Sequence, residues 1–272
     1  MATGRRWGVA LAIAIGMSAS GVLASAAPPA PRELAIAAAS DLQTVLPEIA
    51  SRFQRETGVV VKASLGSSGN FFAQIQNGAP FDVFLSADIA YPKRLAASGH
   101  ADASSQYGYA TGRIVLWTRN DSGIDVRKGL AVLKDARVRR IAIANPEHAP
   151  YGRAAVAALR HDKLYDAVQS KLVLGENIAQ AAQFADSGNA DAGIIALALA
   201  LGPALRSSGT YVEIAETSHP PIQQAAIIVS ASTRKAAARQ FITYLARPEI
   251  VQLLARFGFG APLQPARSAT TR

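Results

Sequence analysis

Four short clusters of Ser, Gly, Asn and Tyr carry the chemistry that this sequence offers. Each cluster follows an apolar, strand-like run and comes directly before an amphipathic helical pattern. The four clusters are AAASDL (37–42), LGSSGN (65–70), NPEHAPYG (145–152) and LGENIAQA (174–181). A helix N-terminus presents unpaired N–H groups and the positive end of the helix dipole, and a preceding Ser adds a hydroxyl donor. Four such junctions that converge would bind an oxyanion through uncharged donors.

The apolar patterns predict the elements that position these clusters. Apolar residues at helical spacing predict a helix over 41–55, and Pro47 inside it indicates a kink or a later start. A β-branched run at 59–61, a helix through Ile75 and a strand at 83–85 complete a β-α-β-α-β order. Such an order requires parallel strands with helical crossovers.

The same pattern restarts after a Gly- and Ser-rich stretch at 99–112. Further strands are predicted at 114–117, 141–144, 171–174, 193–195 and 225–229, and further helices at 152–161, from about 178, at 234–245 and at 248–256. We therefore predict an α/β fold with lobe I formed by 33–110 plus 229–265, lobe II by 111–228, and a disordered tail at 266–272. Ligands lie beyond the carboxyl ends of strands in open parallel sheets, so the four clusters should face a cleft between the lobes.

The N-terminal segment predicts export. Arg5 and Arg6 precede an apolar run over 9–23 and a small-residue site at 24–26, which is typical of a cleaved signal peptide over 1–26. The run is too short and too rich in Gly and Ser for a comfortable membrane anchor. Because the sequence contains no Cys, a lipid attached through cysteine and a disulfide framework are both excluded.

Composition and charge restrict the classes of function. The formal net charge is +9, of which Arg5 and Arg6 contribute 2, so the chain after residue 26 carries +7. Its basic residues are spread over many elements, apart from a group at 137–140, which favours a solvated basic surface over a nucleic-acid stripe. The four His residues have no metal-ligand spacing, and GSSG at 66–69 lacks the Gly-x-Ser-x-Gly spacing of a hydrolase. We therefore expect neither nucleic-acid binding nor catalysis.

Six motifs in the same order give the chain a family resemblance. They are AAS at 38–40, the Gly-Ser-Ser cluster, GAPFDVFLSAD (78–88), NPEHAPYG, GENIAQA (175–181) and ADAGII (190–195), followed by Tyr-Leu and Phe-Gly-Phe near the end. Together they resemble the periplasmic molybdate-binding proteins, the substrate-binding components of ABC transporters. The resemblance implies a class II periplasmic-binding-protein fold with two α/β lobes, a periplasmic location and no cofactor. It implies molybdate as the ligand and tungstate as a second ligand of the same site. It also implies an inner-membrane ABC permease as partner and a monomeric protein.

The resemblance also implies the binding residues. Ser40 and Ser68 would bind the oxyanion from the first lobe through hydroxyl and N–H groups, and Tyr151 and Ile178 from the second lobe through their amides. Molybdenum would be held only within the oxyanion, by these same residues. Four further candidates lie at or beside the motifs: Asp41, Ser67, Asn177 and Ala196.

Two of these further candidates raise a chemical question. Ala196 stands where some relatives carry a Tyr that donates its hydroxyl, and Tyr151 offers a phenol from another direction. A carboxylate at Asp41 would repel a dianion unless it points outward and caps its own helix, which Asp does well. Three alternatives remain open: a receptor of the same fold for sulfate, phosphate or a small organic anion, a secreted serine hydrolase, and a basic exported adhesin or nucleic-acid binder.

Overall fold

The structure is a computed structural model that describes residues 1–2 and 33–263. The predicted signal peptide, apart from its first two residues, and the predicted tail lie outside the described residues. No helix within the described part of the chain is long and apolar enough to cross a membrane.

Ten strands and ten α-helices are found in the described residues. The strands are β1 Glu33–Ala39, β2 Val60–Gly66, β3 Val83–Ser86, β4 Ala101–Gly112, β5 Ile114–Arg119, β6 Ile141–Ala144, β7 Leu172–Gly175, β8 Ala192–Ala196, β9 Gly209–Glu213 and β10 Ile222–Val229. The helices are α1 Leu46–Thr57, α2 Ser68–Gln76, α3 Ala90–Ala97, α4 Pro150–His161, α5 Tyr165–Val168, α6 Ile178–Asp186, α7 Leu197–Ala200, α8 Pro203–Ser208, α9 Lys235–Leu245 and α10 Pro248–Arg256. Short 3₁₀ helices lie at Ser40–Thr44, Val126–Lys134, Gln169–Lys171 and Glu216–Ser218.

The strands form two five-stranded sheets with matching topology. The first sheet has the order β2-β1-β3-β10-β4, and the second has the order β7-β6-β8-β5-β9. In the first sheet, β1 is parallel to β2 and β3, and β10 is antiparallel to β3 and β4. In the second sheet, β6 is parallel to β7 and β8, and β5 is antiparallel to β8 and β9. The predicted α/β lobes with parallel crossovers are therefore present.

Strand β10 returns the chain to the first sheet. It spans Ile222–Val229 and lies between β3 and β4. The sequence-based boundary of lobe II at residue 228 falls inside this strand, so 222–228 belong with the first sheet. The apolar residues of β10 do not indicate which of the two sheets the strand joins. The sequence therefore places the end of lobe II several residues too far along the chain.

Local sequence explains how the elements begin and end. In α1, Leu46, Ile49 and Phe53 are buried on one face, and Pro47 occupies the first turn, where a missing N–H costs little. Gly58 closes this helix in the left-handed region with φ of 70°, and its N–H donates to the Gln54 carbonyl. The helix α1 therefore starts at Leu46, later than the predicted residue 41, and a 3₁₀ turn over Ser40–Thr44 precedes it.

Alternating side chains along β1 pack on both faces of the first sheet. Leu34, Ile36 and Ala38 belong to one buried apolar cluster, and Ala37 belongs to another on the opposite face. The second sheet lies in a third cluster, which includes the fully buried Trp117 and a few residues of the first lobe such as Ala39 and Ile222. Both faces of each central strand are thus covered, and the carboxyl ends of the strands remain for polar clusters.

Candidate functional site

A small cavity lies where the four predicted clusters meet. It encloses about 10 Å³, roughly the room that a single water-sized group occupies. Its lining consists of Ala39, Ser40, Asp41, Gly66, Ser67, Ser68, Ala87, Ala149, Pro150, Tyr151 and Ile178. The first lobe contributes the ends of β1 and β2, the turns that follow them and Ala87 after β3, and the second lobe contributes the first turns of α4 and α6. The predicted convergence of the clusters between the two lobes is therefore observed.

The first lobe brings three serines to the cavity. Ser40 begins the 3₁₀ turn after β1, Ser67 precedes α2, and Ser68 is the first residue of that helix. The Ser67 hydroxyl caps α2 by accepting from the N–H of Asn70 at 3.2 Å. The Ser68 hydroxyl accepts from the Ala87 N–H at 2.9 Å, so its own proton is free to donate elsewhere. All three serines are buried.

The second lobe brings two helix N-termini to the same cavity. Tyr151 lies in the first turn of α4, after Pro150, and Ile178 is the first residue of α6. First-turn N–H groups have no partner within their own helix, so both residues supply backbone donors. Asn177 caps α6, because its side-chain oxygen accepts from the N–H groups of Ala179 and Gln180 at 3.0 and 3.1 Å. Asn177 is thus a capping residue and does not line the cavity.

Several hydrogen bonds join the two lobes around the cavity. The Ser40 hydroxyl donates to the Asn177 side-chain oxygen at 3.0 Å. The N–H of Gly69 donates to the carbonyl of His148 at 2.9 Å. Nδ1 of His148 lies 3.0 Å from the Ser67 hydroxyl. These hydrogen bonds hold the two lobes in direct contact beside the cavity. The structure is therefore a closed form.

Asp41 points into the protein, so the alternative that it caps its helix from outside is wrong. Its side chain is fully buried, and Oδ2 accepts from the Tyr151 hydroxyl at 2.8 Å and from Nε2 of Gln224 at 2.5 Å. Oδ1 has no hydrogen-bond partner among the described residues. The 3₁₀ turn after β1 has no side-chain cap, and the two donors draw the carboxyl group inward.

The buried carboxyl group is electrostatically perturbed. Burial raises the pKa of Asp41 from its ordinary value of 3.8 to about 6, although the bonds from Gln224 and Tyr151 act in the opposite direction. Burial and the nearby Asp41 charge raise the pKa of Tyr151 well above its usual range. Because its hydroxyl donates to Asp41, Tyr151 offers the cavity its N–H and not its phenol.

Sequence reasoning missed Gln224 and Tyr109, which complete this polar cluster. The Tyr109 hydroxyl donates to Oε1 of Gln224 at 2.7 Å, and both residues are buried. The available signal was a Gln within the apolar strand IQQAAIIV, since a buried amide needs partners. Their partners lie on distant segments, so the sequence did not reveal the cluster.

Ala196 does not take part in the cavity. It is buried at the end of β8, pairs with Ile114, and is absent from the lining. The cavity lining also contains no Lys or Arg, so all donors that it presents are uncharged. The described residues include no group of His, Cys, Asp and Glu that could hold a metal ion.

Two α/β lobes that close on a small cavity of helix N-termini and serine hydroxyls define a two-lobed binding protein for a small anion. The chain belongs to the family of bacterial extracellular solute-binding proteins, whose model matches residues 34–260.

The chain is similar in sequence and structure to named binding proteins. The chain is 38% identical to the molybdate-binding protein ModA of Azotobacter vinelandii over 92% of this chain and 96% of that protein. It is 36% identical to ModA of Rhodobacter capsulatus over 88% of this chain and 92% of that protein. Among solved structures, the periplasmic molybdate-binding protein of Azotobacter vinelandii matches with a TM-score of 0.79 and 35% identity, covering 85% of this chain and all of that one. These matches agree with the class II periplasmic-binding-protein fold implied by the motifs.

Proposed function

We propose that this protein captures molybdate in the periplasm, binds it unaltered as a dianion, and delivers it to an inner-membrane ABC permease. Tungstate, which has the same charge and shape, would bind at the same site. The observation that carries the proposal is the convergence of serine hydroxyls and helix N-termini on one closed cavity, in a chain whose relatives are molybdate-binding proteins. Ser40, Ser68, Tyr151 and Ile178 would hold the anion.

Uncharged donors suit capture followed by release. N–H and O–H dipoles fixed in a dry cavity stabilise a dianion, since hydrogen bonds to a charged group are stronger than neutral ones. They avoid a buried ion pair, whose disruption would oppose release. Ser68 fits this role because its hydroxyl already accepts from Ala87, which orients its remaining proton.

A same-fold receptor for phosphate is the main alternative. Hydrogen phosphate keeps a P–OH group, which needs an acceptor in the cavity. The four main candidates are all donors, but Asp41, one of the further candidates, carries a carboxyl group and also lines the cavity. If Asp41 were ionised in the complex, the site would accept that proton and favour phosphate. Selectivity between molybdate and hydrogen phosphate would therefore depend on the protonation state of Asp41.

One observation favours a serine hydrolase as a second candidate. His148, which has no obvious relation to Ser67 in the sequence, lies with Nδ1 3.0 Å from the Ser67 hydroxyl. A nucleophile needs its base oriented by a third group, and no described side chain is bonded to the other ring nitrogen of His148. The Ser67 hydroxyl also caps α2, which engages it structurally. We therefore propose binding without turnover.

Calorimetric titration of the ligand-stripped mature protein with molybdate tests the proposal. We expect tight one-to-one binding that persists in excess sulfate and in excess phosphate. Ser68→Ala should weaken binding, whereas Ser64→Ala, on the exposed face of β2, should not. If phosphate or sulfate displaced molybdate, the natural ligand of the site would be that anion and not molybdate. Covalent labelling by a serine-reactive probe that Ser67→Ala abolishes would favour the hydrolase.

A further inference from the structure

The polar cluster behind the cavity contains a carboxyl group whose two oxygens have different surroundings. Oδ2 of Asp41 accepts two hydrogen bonds, from Tyr151 and from Gln224. Oδ1 is buried and has no partner among the described residues. Gln224 is itself held by Tyr109. The cluster is therefore rigid on one side of the carboxyl group and incomplete on the other.

This asymmetry matches a neutral carboxylic acid better than a carboxylate. A protonated carboxyl group has one carbonyl oxygen, which accepts, and one hydroxyl, which donates. Oδ2 with its two donors fits the carbonyl, and Oδ1 fits a hydroxyl whose acceptor belongs to the ligand. A buried polar atom without a hydrogen-bond partner costs free energy, so its presence in a native structure requires an explanation. A hydrogen bond from Oδ1–H to the ligand provides one.

The charges around Asp41 also favour the neutral form. The titratable groups that face it are Tyr151 on α4 and Tyr109 on β4, and burial raises the pKa of both well above the usual range. Gln224 on β10 is uncharged. The N–H groups of Asp41 and Leu42 lie close enough to the carboxyl group to favour its ionised form, although neither makes a hydrogen bond to Oδ1, and burial outweighs them. No Lys or Arg lines the cavity, so a dianion placed there would meet an ionised Asp41 without a compensating cation.

We propose that Asp41 takes up one proton from solvent as the dianion binds, and that the Oδ1–H group then donates to an oxygen of the bound anion. No other bond forms or breaks. Asp41 is thus a specificity-determining residue of the anion site, and this inference rests on the proposed function. As a neutral acid it selects a fully deprotonated oxyanion such as molybdate. A ligand that carries a hydroxyl would place its own O–H donor against the Oδ1–H donor, and that hydroxyl would find no acceptor there.

Proton uptake can be measured directly on the wild-type protein. Calorimetric titration with molybdate at pH 7.5, in buffers of different ionisation enthalpy, should give an uptake close to one proton per anion. Affinity should fall close to tenfold per pH unit between about pH 6.5 and 8.5, because the free protein binds its proton with a pKa of about 6. Molybdate itself stays fully deprotonated over this range.

Asp41→Asn provides the matched variant. Its amide keeps one acceptor for Tyr151 and Gln224 and one N–H donor in place of Oδ1–H. We expect no proton uptake, an affinity independent of pH, and tighter binding than wild type at pH 8.5. Glu147→Gln removes an exposed carboxylate from the nearby loop and should keep the wild-type uptake. His148→Gln removes the titratable ring near Ser67 and should also keep it.

Several outcomes would overturn the inference. Molybdate binding by wild type without proton uptake, and with an affinity that does not change between pH 6.5 and 8.5, would contradict proton uptake by Asp41. Loss of the uptake in His148→Gln would assign the proton to that ring. Tight phosphate binding without uptake would identify Asp41 as an acceptor for a ligand hydroxyl. If none of molybdate, sulfate and phosphate binds at any pH, the proposed function fails together with this inference.

Discussion

Replacement of Asp41 by Asn should stabilise the ligand-free protein at pH 8 and leave its stability almost unchanged near pH 4. Burial raises the pKa of Asp41 in the folded protein from 3.8 to about 6. The folded state therefore binds this proton more tightly than the unfolded state does. The resulting stabilisation is complete below pH 4 and is lost as the pH rises through 6. A shift of roughly two pKa units corresponds to about 3 kcal/mol.

The variant lacks this pH dependence because its amide stays neutral. Asn preserves an acceptor for the donors on Tyr151 and Gln224. Urea unfolding of both proteins from pH 4 to 8 should give a difference in unfolding free energy that is near zero at pH 4. The difference should grow between pH 4 and 6 and level off at about 3 kcal/mol. In thermal melts it corresponds to roughly 6–12 °C at pH 8.

Asp82→Asn provides a control with the opposite sign. Asp82 is also buried, but both of its oxygens have partners: Ser232 at 2.7 Å on one, and the Ala35 N–H at 2.8 Å and Arg234 at 3.4 Å on the other. Loss of these charge-assisted bonds should destabilise the protein by about 1–3 kcal/mol. The reasoning about Asp41 is refuted if Asp41→Asn is no more stable than wild type at pH 8, or if the difference does not change with pH.

Four further substitutions test the closed site. Ser40→Ala and Ser68→Ala should each weaken molybdate binding by about 1–3 kcal/mol, Ser68→Ala by loss of a donor to the anion and Ser40→Ala by loss of the hydroxyl that joins the lobes at Asn177. Unchanged affinity in both, measured calorimetrically, would contradict the assignment. Gly69→Ala should weaken binding by about 1–3 kcal/mol without loss of unfolding free energy, because an added Cβ would lie 2.5 Å from the His148 carbonyl oxygen across the cleft; wild-type affinity would show that closure does not require this contact. Arg153→Ala should change affinity by less than about fivefold, because its 2.7 Å ion pair with the other lobe is partly exposed, and a larger loss would make it a closure determinant.

The sequence predicted the site well where the chemistry is local. Ser67 caps α2, Asn177 caps α6, and Tyr151 lies in the first turn of α4, all within a few residues of the motifs that indicated them. Helix N-termini are encoded by adjacent residues, and parallel strands bring their carboxyl ends to one edge. The convergence of the four clusters thus followed from short-range patterns and one topological rule.

Other features depend on contacts that no short pattern encodes. Strand β4 lies in the Gly- and Ser-rich stretch, where polar residues conceal an edge strand whose neighbour in the sheet is β10. The direction of Asp41 depends on Gln224, 183 positions along the chain. Local preference favoured an outward cap at Asp41, but the tertiary hydrogen bonds prevailed. Strand β9 at the edge of the second sheet was missed for the same reason as β4.

The position of β10 has a consequence for the order of folding. The entire second sheet, from Ile114 to Glu213, lies between β4 and β10 in the chain, so the second lobe can form from consecutive residues. The first sheet stays divided, with β3 and β4 as unpaired edges, until β10 enters between them. This late pairing is non-local and therefore slow.

Every residue that lines the cavity lies before residue 180, yet one wall of the cavity depends on a strand that begins at Ile222. A nascent or truncated chain can thus carry all the residues of the pocket and still have no pocket. Competence to hold the anion therefore requires the strand that supplies Gln224 to join the two halves of the first sheet.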